Sequence, residues 1–188
     1  MSSINLSIDE QQTCLQVAKQ SIAHGLTHGS ILSVDLEKFT KALQQQGASF
    51  VTLHKKGQLR GCIGTLEARQ PLVRDIVEHA FQAAFRDPRF PAVDKNEIEQ
   101  LEIEISILGK PETIDFKDEV DLLSKLRPGI DGLILEYGSN RSTFLPTVWE
   151  QLPKVEDFIQ HLKIKAGLSK DWWNNEAKIS RYETFSFS

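Results

Sequence analysis

The run Leu101-Glu102-Ile103-Glu104-Ile105-Ser106-Ile107 alternates apolar and polar residues without a break. Strand side chains change face at every residue, so such a run has one buried face and one wet face. A chain that carries it must build a sheet covered on one side, and that favours antiparallel pairing. Glu102, Glu104 and Ser106 share the wet face.

The remaining pattern supplies partners and a cover for that strand. Phe50-Val51-Thr52-Leu53-His54 is β-rich, Lys56-Gly57 is a turn signal, and Leu59 to Leu66 follows as a second strand. Leu133 to Tyr137, a Gly138-Ser139-Asn140 turn and Ser142 to Leu145 make another hairpin. A closing strand is expected over Ile179–Phe187. Ser7-Ile8-Asp9-Glu10 reads as a capping box, with Leu15, Ala18 and Ile22 at helical spacing and Gly25 as the stop. Asp35 to Gln46 is a weaker helix ended by Gly47. Pro71 opens a third helix, striped by Leu72, Ile76, Val77, Ala80, Ala83 and Ala84 and stopped by Asp87-Pro88. Asp94 to Glu97 is a second capping box, for a short helical turn. Asp118 to Lys125 and the segment from Val155 to Ala166, stopped by Gly167, complete the helices. Hairpins separated by helices give an α+β fold, a mainly antiparallel sheet flanked by helices.

At 188 residues the chain suits one domain with room for a small second lobe. The boundary between lobes is expected within 110–132, where Pro111, Pro128 and two glycines gather. A net charge of −4 disfavours nucleic acid and anionic lipid as partners. Cys14 and Cys62 are the only cysteines, too few for a disulfide framework, which fits a reducing cytoplasm. Met1-Ser2-Ser3-Ile4-Asn5 has no secretory pattern, and no segment is apolar enough to span a bilayer. Phosphate-binding, dinucleotide-binding, zinc-protease and serine-hydrolase motifs are all missing. The histidines do not cluster as metal ligands; His24 and His28 are four apart, but Gly25 breaks the shared helix face. No metal or cofactor is expected.

The unusual segment is Leu59-Arg60-Gly61-Cys62-Ile63-Gly64-Thr65. Glycines inside a strand mark a bulge or a close approach by a ligand or another backbone. On a regular strand Arg60, Cys62 and Gly64 share a face. A guanidinium beside Cys62 would favour thiolate, and Gly64 would leave room for a substrate. A two-residue turn at Lys56-Gly57 pairs Val51 with Cys62 and Leu53 with Arg60. The plainer alternative is a buried cysteine acting as a small hydrophobe. Asp87 and Arg89 bracket Pro88 in a stiff loop, either as the rim of a site or as a surface pair. Glu102 and Glu104 are either paired carboxylates or the wet side of the sheet. His79 is a candidate base for Cys62. The basic hairpin His54-Lys55-Lys56 with Arg60 reads as a solvated turn, and Trp172-Trp173 as a dock for the tail.

These residues also carry a resemblance. The segment Leu59–Thr65 resembles the signature of the AMMECR family, whose prokaryotic members are called protein A of the AmmeMemoRadiSam system. Gly47–Leu53, Ala83–Pro91, Phe144-Leu145-Pro146 with Val148, and Lys165-Ala166-Gly167-Leu168 with Trp173 resemble its other motifs in order. Three positions depart from the family pattern: Asp131 where a His is common, Thr147 where a Gln is common, and Lys163 where a Cys is common. The resemblance implies an α+β fold with a larger and a smaller lobe, and it supplies no chemistry. Through the system's name it implies association with Memo-type and radical S-adenosylmethionine proteins. Two functions follow as expectations. One is a group-transfer enzyme or enzyme subunit, in a groove beside the Arg60–Thr65 strand. Cys62 and Arg60 would be catalytic there, and Gly61, Gly64, Thr65, Asp87 and Arg89 would bind a small molecule or peptide. The other is a non-catalytic interaction module.

Overall fold

A computed structural model describes residues 6–188. Met1–Asn5, which carry the reading of no secretory leader, lie outside the described residues. The chain divides into two compact units: a larger one of residues 6–108 with Phe185–Ser188, and a smaller one over Gly109–Thr184. Among the described residues no helix is long and apolar enough to cross a membrane.

In the larger unit, α1 spans Ile8–His28. Its capping box is formed: Glu10 N donates to Ser7 Oγ at 3.3 Å, and Ser7 N donates to Glu10 Oε2 at 2.8 Å. Gly25 does not stop the helix. The left-handed residue that does is Gly29, with φ 66°. Gly25 is a packing notch instead, because a Cβ there would lie 2.3 Å from the Phe85 ring. The expected helix over 35–46 is also broken. A 3₁₀ turn, Leu36–Lys38, and a single turn α2, Lys41–Gln44, stand in its place, separated by extended Phe39 and Thr40. Two polar residues compete with helix continuation here. Asp35 accepts from Glu37 N at 3.2 Å, and the Thr40 hydroxyl donates to Glu10 Oε1 at 2.6 Å.

Strand β1, Gln46–Gly47, leads into β2, Ser49–Lys55, and β3, Gln58–Gly64. Lys56 and Gly57 join β2 and β3 with φ of 53° and 73°, the paired positive values of a type I′ hairpin turn. Strand β4, Gln70–Pro71, pairs with β1, and α3 follows over Leu72–Phe85. Pro71 is the N-cap of α3 and lies one residue outside the helix. After a 3₁₀ turn at Ile98–Gln100 comes β5, Leu101–Leu108. Helices α1 and α3 supply Val17, Ile22, Ile76, Val77 and Ala80 to a core with Val51, Leu53, Ile105 and Ile107.

The smaller unit contains β6 (Glu112–Thr113), α4 (Glu119–Lys125), β7 (Gly132–Tyr137) and β8 (Asn140–Phe144). A 3₁₀ turn at Pro146–Glu150, α5 (Val155–Lys165) and β9 (Lys178–Tyr182) complete it. Its sheet order is β6-β9-β7-β8. Leu122, Leu133, Phe158, Leu162 and Ile179 form its core, with the Trp149 and Phe158 rings stacked at 3.7 Å. Gly167, at φ 80°, ends α5. Trp172 packs on Tyr137 at 4.8 Å and Trp173 on Phe116 at 5.5 Å. The single closing strand expected over 179–187 is two strands in two sheets: β9, then β10 over Thr184–Phe187. Strand β10 completes the larger unit's sheet, ordered β10-β5-β2-β3.

Candidate functional site

The helices cover one face of the β10-β5-β2-β3 sheet, the face of Val51, Leu53, Ile105 and Ile107. The other face carries the ionisable residues. Thr52 stands opposite Cys62 on one side and Glu104 on the other, and His54 stands opposite Glu102. Cys62 is half-buried. His54, Glu102, Ile103, Glu104 and Ser188 line an open cleft of about 330 Å³ on the larger unit. The carboxylates expected on the wet face are therefore on the same face as the cysteine.

The register expected for the hairpin differs by one residue. Val51 pairs with Ile63, not Cys62, and Leu53 pairs with Gly61, not Arg60. Pairing shifts between Leu53 and His54, which makes Arg60 the extra residue of a β-bulge. One inserted residue moves every later side chain to a new cross-strand neighbour. Gly61 accommodates the resulting close approach, since a Cβ there would lie 2.2 Å from the Ala83 carbonyl oxygen of α3.

The bulge also turns Arg60 away from the sulfur. Its Nη2 donates to Glu97 Oε2 at 2.8 Å and its Nε to Glu97 Oε1 at 3.2 Å, while Lys55 Nζ reaches Oε1 at 2.7 Å. Arg60, then Lys55, hold the Glu97 carboxyl down at about 2. Arg60 Nη1 is buried without a hydrogen-bond partner. The guanidinium expected beside Cys62 is thus committed to a carboxylate on the loop before β5.

Asp87 and Arg89 take the place next to Cys62. Asp87 Oδ2 accepts from Cys62 N at 2.9 Å, and Arg89 Nη2 donates to the Cys62 carbonyl at 3.2 Å. The two side chains are joined, Arg89 Nε to Asp87 Oδ1 at 2.9 Å and Nη2 to Oδ2 at 2.7 Å. Asp87 is buried, and its Arg89 partner keeps its carboxyl low, at about 2.

Burial pushes the Cys62 thiol up. The Thr52 hydroxyl, which donates to Sγ at 3.3 Å, and the charge of Arg89 pull it back down, while Asp87 and Glu104 push it further up. Burial is the largest of these influences and leaves the thiol above its ordinary value. Gly64 does not open a substrate space: a Cβ there would meet the Phe50 ring at 2.3 Å and the Ser49 carbonyl oxygen at 2.4 Å. Thr65 donates its N–H to Ser49 O at 3.1 Å, and its hydroxyl accepts from Glu67 N at 3.2 Å. His79 is not joined to Cys62. It lies on α3, across the sheet, where its Nδ1 meets Asp75 Oδ2 at 3.1 Å. The same Asp75 oxygen accepts from Ser49 N and Ser49 Oγ. This buried network ties β2 to α3. His24 and His28 stack at 4.2 Å, and no group of three His, Cys, Asp or Glu among the described residues is placed to hold a metal.

Sequence reasoning missed Thr52 and Glu97. Thr52 was hidden by the register slip. Glu97 was assigned to a helix cap, and it does accept from Asp94 N at 3.3 Å, but its closer partners are the two cations.

These features define an α+β protein of two units whose larger sheet carries a cysteine on a bulged, side-chain-braced edge strand. The AMMECR1 family model matches residues 15–187, and the chain belongs to that family. A protein from Methanothermobacter thermautotrophicus is 36% identical over 188 residues, covering 97% of this chain and 95% of the relative. Protein MJ0810 of Methanocaldococcus jannaschii is 36% identical over 190 residues, covering 97% and 91%. The crystal structure of uncharacterized protein PH0010 from Pyrococcus horikoshii matches with a TM-score of 0.89 at 29% identity, covering 96% of this chain and 92% of that one.

Proposed function

We propose that the chain is a non-catalytic binding module. The polar face around Cys62, His54, Glu102 and Glu104 would be its recognition surface, and Memo-type and radical S-adenosylmethionine proteins its working partners. The observation that carries this reading is the setting of the Cys62 sulfur, half-buried beside the Thr52 hydroxyl while the Arg60 guanidinium is held by Glu97. A cysteine nucleophile needs its thiolate, and proteins supply it with a nearby cation or base. Here burial dominates, two carboxylates add to its effect, and Arg60 is spent on Glu97. The family resemblance supports the choice of partners, and the acidic cleft suits a partner segment rich in lysine or arginine.

A second reading, Cys62 as the nucleophile of a group-transfer enzyme, has one observation in its favour. Thr52 Oγ1 donates to the sulfur, and Arg89 lowers its pKa. In that reaction the sulfur would attack an acyl carbon and form a thioester, while the leaving group departed with the thiol proton.

Iodoacetamide kinetics across pH separate the two. For the module, Cys62 in native protein alkylates more slowly than free cysteine at neutral pH, with a midpoint above the ordinary thiol value of about 8.5. Cys62→Ser then still co-elutes with a Memo-type protein of the same organism, while Glu102→Lys with Glu104→Lys does not. Alkylation faster than free cysteine would favour the nucleophile and overturn the module.

A further inference from the structure

Strand β3 is an edge of the larger unit's sheet, with β2 as its one neighbour. In an antiparallel ladder alternate residues turn their N–H and C=O outward. Thr65 N donates to Ser49 O at 3.1 Å, and Ile63 and Gly61 pair with Val51 and Leu53 in the same phase. Cys62 and Gly64 are therefore the outward positions. An added strand would offer a carbonyl to the Cys62 N–H and an N–H to the Cys62 carbonyl. Asp87 and Arg89 already supply both: a carboxylate oxygen 2.9 Å from the N–H, and a guanidinium nitrogen 3.2 Å from the carbonyl oxygen.

The two side chains form one unit. Besides their paired contacts, Arg89 N donates to Asp87 Oδ1 at 3.1 Å, and Pro88 stiffens the loop between them. An ordinary side-chain cap meets one backbone group. Here a donor and an acceptor meet both groups of one residue, in the sense a neighbouring strand would. Unguarded edges are templates for pairing with another chain, and charged groups are a common way to block them. The same strand also exposes an apolar side chain, Leu59, which is 42% accessible.

We propose that the Asp87–Arg89 pair is a strand mimic that keeps β3 from pairing with the β3 of a second copy of this chain. Two identical edges can meet about a twofold axis, each offering the same groups to the other, and the exposed Leu59 would gain cover in that contact. The proposal does not depend on whether Cys62 is a nucleophile or a passive thiol.

The test uses the full chain carrying Asp87→Ala and Arg89→Ala together, with circular dichroism to confirm folding. Sedimentation velocity from micromolar to millimolar concentration reads the assembly state. The native chain stays a single species that shows no β3 pairing, and the double variant shifts to dimers or larger species. Adding Leu59→Lys to the double variant restores the monomer. Exchange of the Cys62 amide rises roughly tenfold or more in the double variant under monomeric conditions. If the double variant fails to fold, Arg89→Ala alone is used, because it frees the Cys62 carbonyl and leaves Asp87 on the N–H. A folded variant as monomeric as the native chain, or a folded double variant with unchanged exchange at Cys62, overturns the proposal. So does a native chain that already dimerises through β3.

Discussion

Gly61→Ala measures whether the signature glycine serves packing or substrate access. Gly61 is not among the glycines with positive φ, so alanine can adopt its backbone conformation. Alanine would then stabilise by about 0.4–1 kcal/mol through the unfolded chain, were nothing in the way. The new Cβ, however, would lie 2.2 Å from the Ala83 carbonyl oxygen and 3.1 Å from its carbon. The first distance is more than an ångström short of ordinary contact, and the obstacle is helix backbone, which has no rotamer to change. Helix α3 cannot retreat cheaply, because Val73, Ile76, Val77 and Ala80 hold it in the core. Overpacking of this kind costs about 1–3 kcal/mol or more. The entropy gain leaves a net loss of roughly 2 kcal/mol, or about 4–8 °C in melting temperature for a chain of this size. The Asp87–Cys62 contact should loosen too, since Asp87 follows α3 directly. Calorimetry or a thermal circular dichroism scan checks this. A Gly61→Ala protein that melts with or above the native one would refute the packing argument and restore the case for a glycine that clears space for a ligand.

Two further outcomes follow from charged groups. Glu97 is held near 2 in the folded protein, so its contribution is complete above the ordinary carboxylate range and is lost as pH falls toward about 2. Urea midpoints should show Glu97→Gln less stable by about 1–3 kcal/mol at neutral pH, with the gap closing in acid; a gap independent of pH counts against the Arg60–Lys55 cluster as its source. Lys163 is buried and paired with Glu119 at 2.5 Å, and Glu119 itself is partly exposed. Lys163→Met removes a costly buried charge and leaves the carboxylate in water, so stability should stay within about 1 kcal/mol of the native chain; a loss above about 3 kcal/mol would show that the ion pair is strongly stabilising.

The strands and main helices were legible because period and punctuation agree with packing. The alternation at 101–107, the Lys56-Gly57 turn and the Ser7–Glu10 cap each specify a local geometry that tertiary contacts then reinforce. What could not be read was geometry set by an irregularity. A bulge adds one residue to one strand, and nothing in the composition of Leu59–Thr65 says which residue is extra. The consequence spreads from there: a regular strand places Arg60 beside the sulfur, whereas the bulge places Thr52 opposite Cys62. Glycine is ambiguous for the same reason: the close approach of another backbone is borne out at Gly61, against the Ala83 carbonyl, whereas the helix stop expected at Gly25 and the open space expected at Gly64 give way to neighbouring phenylalanine rings that sequence alone does not locate. Asp87 and Arg89 were legible as a rigid pair beside a helix stop. Their attachment to the backbone of Cys62, 25 and 27 residues away, was not.

The route of the chain through its two sheets has a consequence for how it can be divided. The larger sheet starts within the first half of the sequence and receives β10 only after the whole smaller unit has intervened. The smaller unit is thus an insertion, and the larger one is discontinuous along the polypeptide. A fragment cut at residue 108 lacks Phe185 and Phe187, which pack on its core, and leaves β5 as a bare margin. A nascent chain emerging from the ribosome meets the same shortfall: its first-made sheet stays incomplete until translation has passed residue 187.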